Sequence, residues 1–395
     1  MKQIVFAWIN VLQTLLRVLP FPCRTGLRRI GNPTRDSPVL LTCNFRLTVE
    51  RVQRALEGVD CYLLVANSRG VNVWCAATGG LLTNHDVISV LKTSGIETLV
   101  DHRQLILPQL AATGIEGNVV VNKTGWKVLW GPIDARAIPA FLEGGLRKTV
   151  AMRTVTFPWP QRLEMAVAWA FPISVVAGLL ILPFWRRAIP SLVGLIWGMS
   201  LLMFLGFPLY RRYLRTRSSN VGFVFFDFGQ WGLALLLWSS FVVGVASVAF
   251  ATGSFSWPLI VRWALVSLVM TVVLSIDLTG STPVYKSDLH KDRLLQIVLD
   301  TQRCKGVALC EQVCPTNVFA VDHHRHLAAL ASPERCVQCG ACLVQCPFDA
   351  LSFQDPKGDQ ITPAIVRRFK LNLLGHRLEK QPKPVRRADE SGQAT

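Results

Sequence analysis

The chain has 395 residues, of which 51% are hydrophobic and 17% charged, and its mean hydropathy is +0.35. That length excludes a single small module, and that composition excludes a disordered protein and points toward membrane segments. The formal net charge of +17 fits nucleic-acid binding or a membrane protein with basic cytoplasmic loops; composition alone does not choose.

Residues 1–36 open with an apolar run, Met1–Pro20, broken by Asn10, Gln13 and Arg17. No small-residue cleavage site follows before Pro20-Phe-Pro-Cys23, so an amphipathic helix on a membrane surface is expected in preference to a signal peptide. Residues 37–160 alternate short apolar runs with helical spacing. Val39–Thr42, Tyr62–Ala66, Thr98–Val100, Asn118–Asn122 and Trp126–Trp130 are expected as strands, and Thr48–Leu56, His85–Thr93 and Pro139–Leu142 as helices. That alternation predicts an α/β domain with a mainly parallel sheet. The segment Asn72-Val73-Trp74-Cys75-Ala76-Ala77 follows one such strand and the turn Asn67–Gly70, and opens a short helix.

Residues 161–280 change character. Leu163–Trp185, Ala188–Tyr210, Gln230–Thr252 and Trp257–Leu278 are each long and apolar enough to cross about 30 Å of hydrocarbon, which predicts a four-span helical bundle. Val221–Phe226, closed by Asp227, reads as interfacial. Arg211, Arg212, Arg215 and Arg217 lie between spans two and three, Lys148, Arg153 and Arg162 precede span one, and Lys286, Lys291 and Arg293 follow span four. The positive-inside rule then places both ends of this multi-pass plasma-membrane protein in the cytoplasm, with the basic excess assigned to membrane lipid and not to nucleic acid. Arg186 and Arg187 in the first outer turn run against the rule, but two arginines in a very short turn can snorkel. Arg262, inside the fourth stretch, either snorkels outward or faces the bundle interior.

The cysteines are uneven. Cys23, Cys43, Cys61 and Cys75 are scattered, and the other seven of the 11 crowd into Cys304–Cys346. Disulfide scaffolds do not look like this; a metal centre does. Within residues 288–355, Cys336-Val-Gln-Cys339-Gly-Ala-Cys342-Leu-Val-Gln-Cys346-Pro347 is the bacterial C-x2-C-x2-C-x3-C-P run of an α+β two-cluster ferredoxin. Its fourth cysteine serves the other cluster, so Cys336, Cys339, Cys342 and Cys314 are expected to hold a complete [4Fe–4S] cluster. The first motif, Cys304-Lys-Gly-Val307-Ala-Leu-Cys310-Glu-Gln-Val-Cys314-Pro315, has Val307 where its second cysteine belongs. Cys304, Cys310 and Cys346 then offer three thiolates to a [3Fe–4S] cluster, to a [4Fe–4S] cluster with one non-cysteine ligand, or to none, the first being preferred. His323, His324 and His326 read as a solvated turn. Residues 356–395 form a basic tail, with Arg367, Arg368, Lys370, Arg377, Lys380, Lys383, Arg386 and Arg387, suited to anionic lipid.

The segment from Asn72 to Ala77 resembles the cap helix of the corrinoid proteins of microbial mercury methylation, which are akin to the corrinoid subunits of the acetyl-CoA pathway. Leu41-Thr-Cys-Asn44-Phe, His102–Leu110, Gly125-Trp-Lys-Val-Leu-Trp-Gly131-Pro and Phe141-Leu-Glu-Gly-Gly145 are similar to the same family, in the same order. The resemblance implies that residues 37–160 bind a corrinoid, with Asn72, Val73, Trp74, Ala76 and Ala77 contacting it and the Cys75 thiolate as lower axial ligand to cobalt. It implies methyl transfer to a soft metal acceptor such as Hg(II). A methyl-pterin or methyltetrahydrofolate system would be the methyl donor, and a low-potential electron donor would serve the ferredoxin that returns cobalt to Co(I). A thiolate opposite the methyl group pushes electron density toward it, much as axial ligands tune haem iron.

Two departures bear on the acceptor. Thr78-Gly79-Gly80 stands where the family has a glycine and a lysine, and the vicinal cysteines that usually end the family's ferredoxin are absent from Ala388–Thr395. The acceptor therefore stays open between Hg(II) and another species. A membrane electron-transfer subunit that has lost its corrinoid and a redox-sensing interaction protein are the readings from other functional classes.

Overall fold

The computed structural model describes residues 2–17, 19–210, 228–278, 295–355 and 358–369. A five-stranded sheet forms the centre of the first domain: β1 (Gly26–Ile30), β2 (Val39–Cys43), β3 (Cys61–Ala66), β4 (Gln104–Leu107) and β5 (Lys127–Trp130). Every residue of β2 and β3 is buried, as expected of parallel strands covered on both faces. The spatial order is β1-β3-β2-β4-β5; only the edge strand β1 runs antiparallel. Because β3 and β4 flank β2 on opposite sides, the direction of winding reverses at β2. Ligand crevices in such folds open at that reversal, beyond the carboxyl ends of the strands.

The α/β expectation holds, with two expected strands corrected. Thr98–Val100 is the end of a tight helical turn, Ile96–Thr98, entered through Gly95 at φ +71. Asn118–Asn122 lies inside a helix, α5 (Gly117–Thr124), closed by left-handed Gly125. Its three consecutive valines favour a strand locally, but burying Val120 against the core overrides that preference. The remaining helices of the domain are α1 (Lys2–Leu15), α2 (Arg46–Ala55), α3 (Val73–Thr78), α4 (Asn84–Thr93), α6 (Ile138–Glu143) and α7 (Val150–Arg153).

Four long apolar helices follow: α8 (Trp159–Trp185), α9 (Ile189–Tyr210), α10 (Phe228–Ala251) and α11 (Trp257–Leu278). Helices α8 and α9 form an antiparallel hairpin in which Ser200 Oγ donates to the Ala166 carbonyl at 2.8 Å and Arg162 to that of Leu205 at 2.6 Å. The expectation of four separate crossings is corrected. Among the described residues only the joined stretch Trp159–Leu209 is long and apolar enough to cross a membrane, while Trp238–Ala251 and Trp257–Val272 are shorter apolar helices. Arg262 is exposed, with its guanidinium 5.3 Å from the centre of the Trp185 ring, which removes the bundle-interior option. The interfacial segment, the loop arginines 211–217, the basic residues 286–293 and the tail from 370 lie outside the described residues. Glu164, early in α8, accepts from Arg51 of α2 at 2.7 Å and from Arg17, just past α1, at 3.4 Å, tying the sheet domain to the apolar helices.

The cysteine-rich domain comprises β6 (Gln296–Leu299), α12 (Leu309–Val313), β7 (Phe319–Asp322), β8 (Leu327–Leu330), α13 (Ala341–Gln345), β9 (Leu351–Gln354), β10 (Gln360–Ile361) and α14 (Pro363–Phe369). It packs on the sheet domain across a tight helical turn, Gln109–Thr113, which follows β4. Gly114 closes that turn against α3. A Cβ there would stand 2.6 Å from the Ala77 carbonyl oxygen and 2.8 Å from its Cα. Gly114→Ala should therefore displace α3 and destabilise the sheet domain by about 1–3 kcal/mol, read as a lowered urea midpoint.

Candidate functional site

Helix α3 is set by its first residue. Asn72 takes the cap position, its side-chain oxygen accepting from the Cys75 amide at 3.0 Å, while its Nδ2 donates to the Cys75 sulfur at 3.4 Å. Both ends of one side chain thus orient Cys75. The turn before it is held by buried Asn44, whose Oδ1 accepts from the Ser68 amide at 2.8 Å, the Ser68 hydroxyl at 2.9 Å and the Gly70 amide at 3.0 Å. Cys75 is half-buried, and Ala76 and Ala77 are packed into the core. Of the expected contact residues, Asn72 is therefore a cap, Ala76 and Ala77 are packing, and Val73, Trp74 and Cys75 keep partial exposure.

A recess of about 110 Å³ lies at the winding reversal, lined by Leu41 and Thr42 of β2, Leu107 and Pro108 at the end of β4, Gly131 beyond β5, and Val73 of α3. It is smaller than the roughly 300–1,000 Å³ of a complete small-molecule pocket, and is one part of a site whose other part is the exposed side of α3. Cys75 does not line it. Positions two apart on a helix do not share a face, so Val73 and Cys75 address different neighbours. A large ligand bound by both must lie against the helix and not within the recess. A half-buried thiol oriented by an amide N–H is a suitable soft donor, and on that ground the residues present fit a cobalt-bearing group. Cys43 and Cys61 are buried in the sheet, where burial pushes both thiols up, Cys61 to about 11. Half-buried Cys23 is raised for the same reason.

The seven clustered cysteines lie together in the cysteine-rich domain. Cys339, Cys336, Cys314 and Cys310 all interact electrostatically with buried Cys342. Cys304 and Cys346 neighbour Cys310, and these three line one small cavity with Val307. Burial raises the Cys310 thiol to about 12 and Cys342 well above its ordinary value, so iron binding must release their protons. Backbone N–H groups already point at four sulfurs: Val318 at Cys314 (3.3 Å), and Ala350 at Cys346, Ala328 at Cys304 and Gln338 at Cys336 (3.4 Å each). Such bonds stabilise cluster-bound thiolates. The two halves repeat each other down to left-handed Ala308 and Gly340 before the helices, and left-handed Asn317 and Asp349 after them. Among the described residues no three His, Cys, Asp or Glu side chains converge on a single ion; a cubane spreads its thiolates around its corners, and this arrangement suits one. Val307 is 44% exposed. His323, His324 and His326 are exposed, as expected of a solvated turn. Arg367 is not a free tail residue: it pairs with Asp349 at 2.7 Å and donates to the Cys346 carbonyl at 2.8 Å.

Between the two domains runs a polar junction that the sequence reading did not single out. Lys148 Nζ donates to Gln109 Oε1 at 2.7 Å, to the Gln312 carbonyl at 2.7 Å and to the Gly131 carbonyl at 3.3 Å. Arg153 pairs with Glu311 at 2.6 Å, and the Val155 amide donates to the Pro315 carbonyl at 2.8 Å. Buried Gln345 reaches the turn beneath α3. Val313 and Ala341 join the core of the sheet domain, with Leu309 and Cys339 packed beside them. Sequence counted Lys148 and Arg153 only as positive charge near a membrane. Their one distinguishing signal was a place at the end of the sheet domain, around its last short helix.

Comparison with known proteins bears on both domains. Residues 6–142 match the family described as CO dehydrogenase/acetyl-CoA synthase delta subunit. Residues 331–352 match the 4Fe-4S binding domain, covering the second cysteine motif and not the first. The chain is 41% identical over 126 residues to the acetyl-CoA decarbonylase/synthase complex subunit gamma of Methanopyrus kandleri, covering 31% of this chain and 27% of the relative. Identity to the gamma subunit of Archaeoglobus fulgidus is 40% over 126 residues, covering 31% and 26%. The chain thus spans about a quarter of the length of these relatives. The likeness to acetyl-CoA pathway subunits and the presence of a ferredoxin-type domain are borne out.

Lys148 supplies a pH test of the junction. Burial, aided by the charge of Arg153, lowers its ammonium from 10.5 to about 7. Between those values the unfolded chain holds the proton that the docked lysine has lost, so stability must rise with pH across that window. The thermal midpoint should climb from pH 7 to 9, and Lys148→Met should flatten that climb.

Proposed function

We propose that the chain is a membrane-anchored corrinoid-dependent methyltransferase whose fused ferredoxin domain supplies the electrons that keep cobalt active. The observation that carries this reading is the junction itself: the ferredoxin-type domain packs, Cys339 side first, onto the turn that supports the helix bearing Cys75. A bound corrinoid would supply the cobalt that carries the methyl group, and bound iron–sulfur clusters would supply single electrons of low potential. The chain's own residues do the rest. Asn72 orients the Cys75 thiol that would hold the cobalt, Asn44 holds the turn before it, and the apolar recess keeps water from one flank. Cys336, Cys339, Cys342 and Cys314 would hold a [4Fe–4S] cluster, and Cys304, Cys310 and Cys346, with Val307 beside them, would hold a [3Fe–4S] cluster.

The acceptor of this reading is a soft metal ion, with Hg(II) the candidate that the resemblance names. Thr78 favours a second option, another acceptor: its hydroxyl is spent on the Trp74 carbonyl at 2.8 Å, and Gly79 and Gly80 add no side chain in place of a lysine. A methylated pterin is the methyl donor and a low-potential electron carrier the reductant. Anchoring in a membrane is supported by the outward Leu179, Leu180, Phe184 and Leu209 of α8 and α9 and by Val243, Phe250 and Leu265 of α10 and α11; that membrane is taken to be the plasma membrane, with both soluble domains cytoplasmic. Exposed Trp159 and Trp185 bracket α8, about 40 Å apart at the helical rise, close to a bilayer with its headgroups.

Anaerobically purified protein should show corrinoid absorption beside an iron–sulfur shoulder, and Cys75→Ala should abolish methyl transfer while leaving that shoulder unchanged. Full activity in Cys75→Ala, or no corrinoid after corrinoid-replete growth, would sink the reading in favour of a membrane electron-transfer subunit. Electron paramagnetic resonance of the oxidised protein should give a [3Fe–4S] signal that Val307→Cys converts to a second [4Fe–4S] species on reduction. Two equal [4Fe–4S] signals in the unmodified protein would contradict the assignment.

A further inference from the structure

Gln345 sits in the three-residue spacer between Cys342 and Cys346, on the last turn of α13, and is 4% exposed. Its whole amide is committed to the other domain. Nε2 donates to the Ala112 carbonyl at 2.8 Å and to the Ile115 carbonyl at 2.6 Å, while Oε1 accepts from the Gly117 amide at 3.2 Å. Two carbonyl acceptors on one side and an N–H donor on the other fix which way the amide faces. Ala112 and Ile115 flank Gly114, the glycine in close contact with Ala77 of α3. In the internal repeat of the ferredoxin-type domain the position of Gln345 corresponds to Val313, which is buried in the same junction by apolar packing alone. One copy of the repeat thus contributes packing, and the other contributes a directed polar contact to the turn that carries the cap helix.

We infer that Gln345 is a positioning residue for electron transfer, fastening the cysteine-bearing helix α13 to the Ala112–Gly117 turn and so setting the path from the iron–sulfur group to the helix bearing Cys75. The path runs from the backbone of Cys342 and Cys346 through the Gln345 amide to Ile115, Gly114 and Ala77, without a solvent gap. This inference rests on the corrinoid reading. One electron passes per event: the reduced iron–sulfur group is oxidised, cobalt(II) is reduced to cobalt(I), and a low-potential electron carrier restores the iron–sulfur group. No proton or leaving group moves. The side of the domain that faces away, at Val307 and Phe348, is exposed, leaving a separate face for that carrier.

The test uses full-length protein carrying Gln345→Met, which keeps side-chain length and packing but removes all three hydrogen bonds. A second variant, Gln345→Glu, keeps the acceptor for Gly117 but turns a carboxylate oxygen toward two carbonyls. Hydrogen exchange at the Gly117 amide should be slow in the parent chain and faster in both variants. Rapid-mixing reduction with dithionite should show cobalt reduction slowed about tenfold, with iron–sulfur absorption, corrinoid content and cluster potential unchanged. An unchanged cobalt-reduction rate, or Gly117 exchange equal to that of the parent, overturns the inference. Loss of clusters from both variants would assign Gln345 to cluster assembly and also overturn it. A parent protein with clusters and no corrinoid would instead defeat the proposed function, and Gly117 exchange would still decide whether Gln345 fastens the two domains.

Discussion

The turn from Gln109 to Gly114 must satisfy two neighbours at once, and both domains depend on it. Above it lies α3, so close to Gly114 that no Cβ fits. Against it lies the ferredoxin-type domain, whose Gln345 takes the Ala112 carbonyl and whose Gln312 shares Lys148 with Gln109. A buried turn carries backbone groups that cannot reach water, and each must find a partner inside the protein. Here the Ala112 carbonyl, and just beyond the turn the Ile115 carbonyl and Gly117 amide, find their partner in Gln345 of the other domain, so these groups are satisfied only when the two are docked. That requirement makes the docked arrangement a property of the fold and not an accident of tethering.

The same junction explains the division of labour among the cysteines. Cys339 and Ala341 lie on the inner side with the sheet-domain core, while the cavity shared by Cys304, Cys310 and Cys346 runs to exposed Val307 and Phe348. Val307, which stands in the place of a cysteine, lies on that outer side and meets solvent. On the inner side a missing thiolate would leave an unfilled gap in a packed interface, which is costly. The placement of Val307 is thus consistent with the electron path running through the complete set.

Docking also constrains the apolar helices. Glu164, in the first turns of α8, accepts from Arg17 and Arg51, so the sheet domain is held at one end of the hairpin. That end carries exposed Trp8 and Trp159, and the other carries Trp185 and Trp257. Amphipathic aromatic rings favour such boundaries between apolar and wet surroundings. Arg262 over the Trp185 ring adds a cation to the far boundary.

Much of this was legible in residue order. The C-x2-C-x2-C-x3-C-P spacing encodes its chemistry locally, because thiolates on a short loop meet one cluster whatever surrounds them, and the second motif falls in the stretch that matches the 4Fe-4S binding domain. Alternating apolar runs marked β2, β3 and β5, and Asn72 ahead of a helix is a cap by its own side-chain chemistry. Thr98–Val100 and the three valines of α5 were misread because a short apolar run does not reveal its period, and packing decided it. Strand β1 was passed over, since its Gly-Leu-Arg-Arg-Ile sequence shows no buried face; an edge strand needs none. The roles of Lys148, Gln109, Gly114 and Gln345 had no local signature at all. Each is an ordinary residue made consequential by a partner distant in sequence, 228 positions away in the case of Gly117 and Gln345. Residue order determined which chemistries the chain carries, because ligand spacing and capping act over a few residues. Only the tertiary structure decided that those chemistries touch, because a hydrogen bond between distant segments exists only after both have folded and packed.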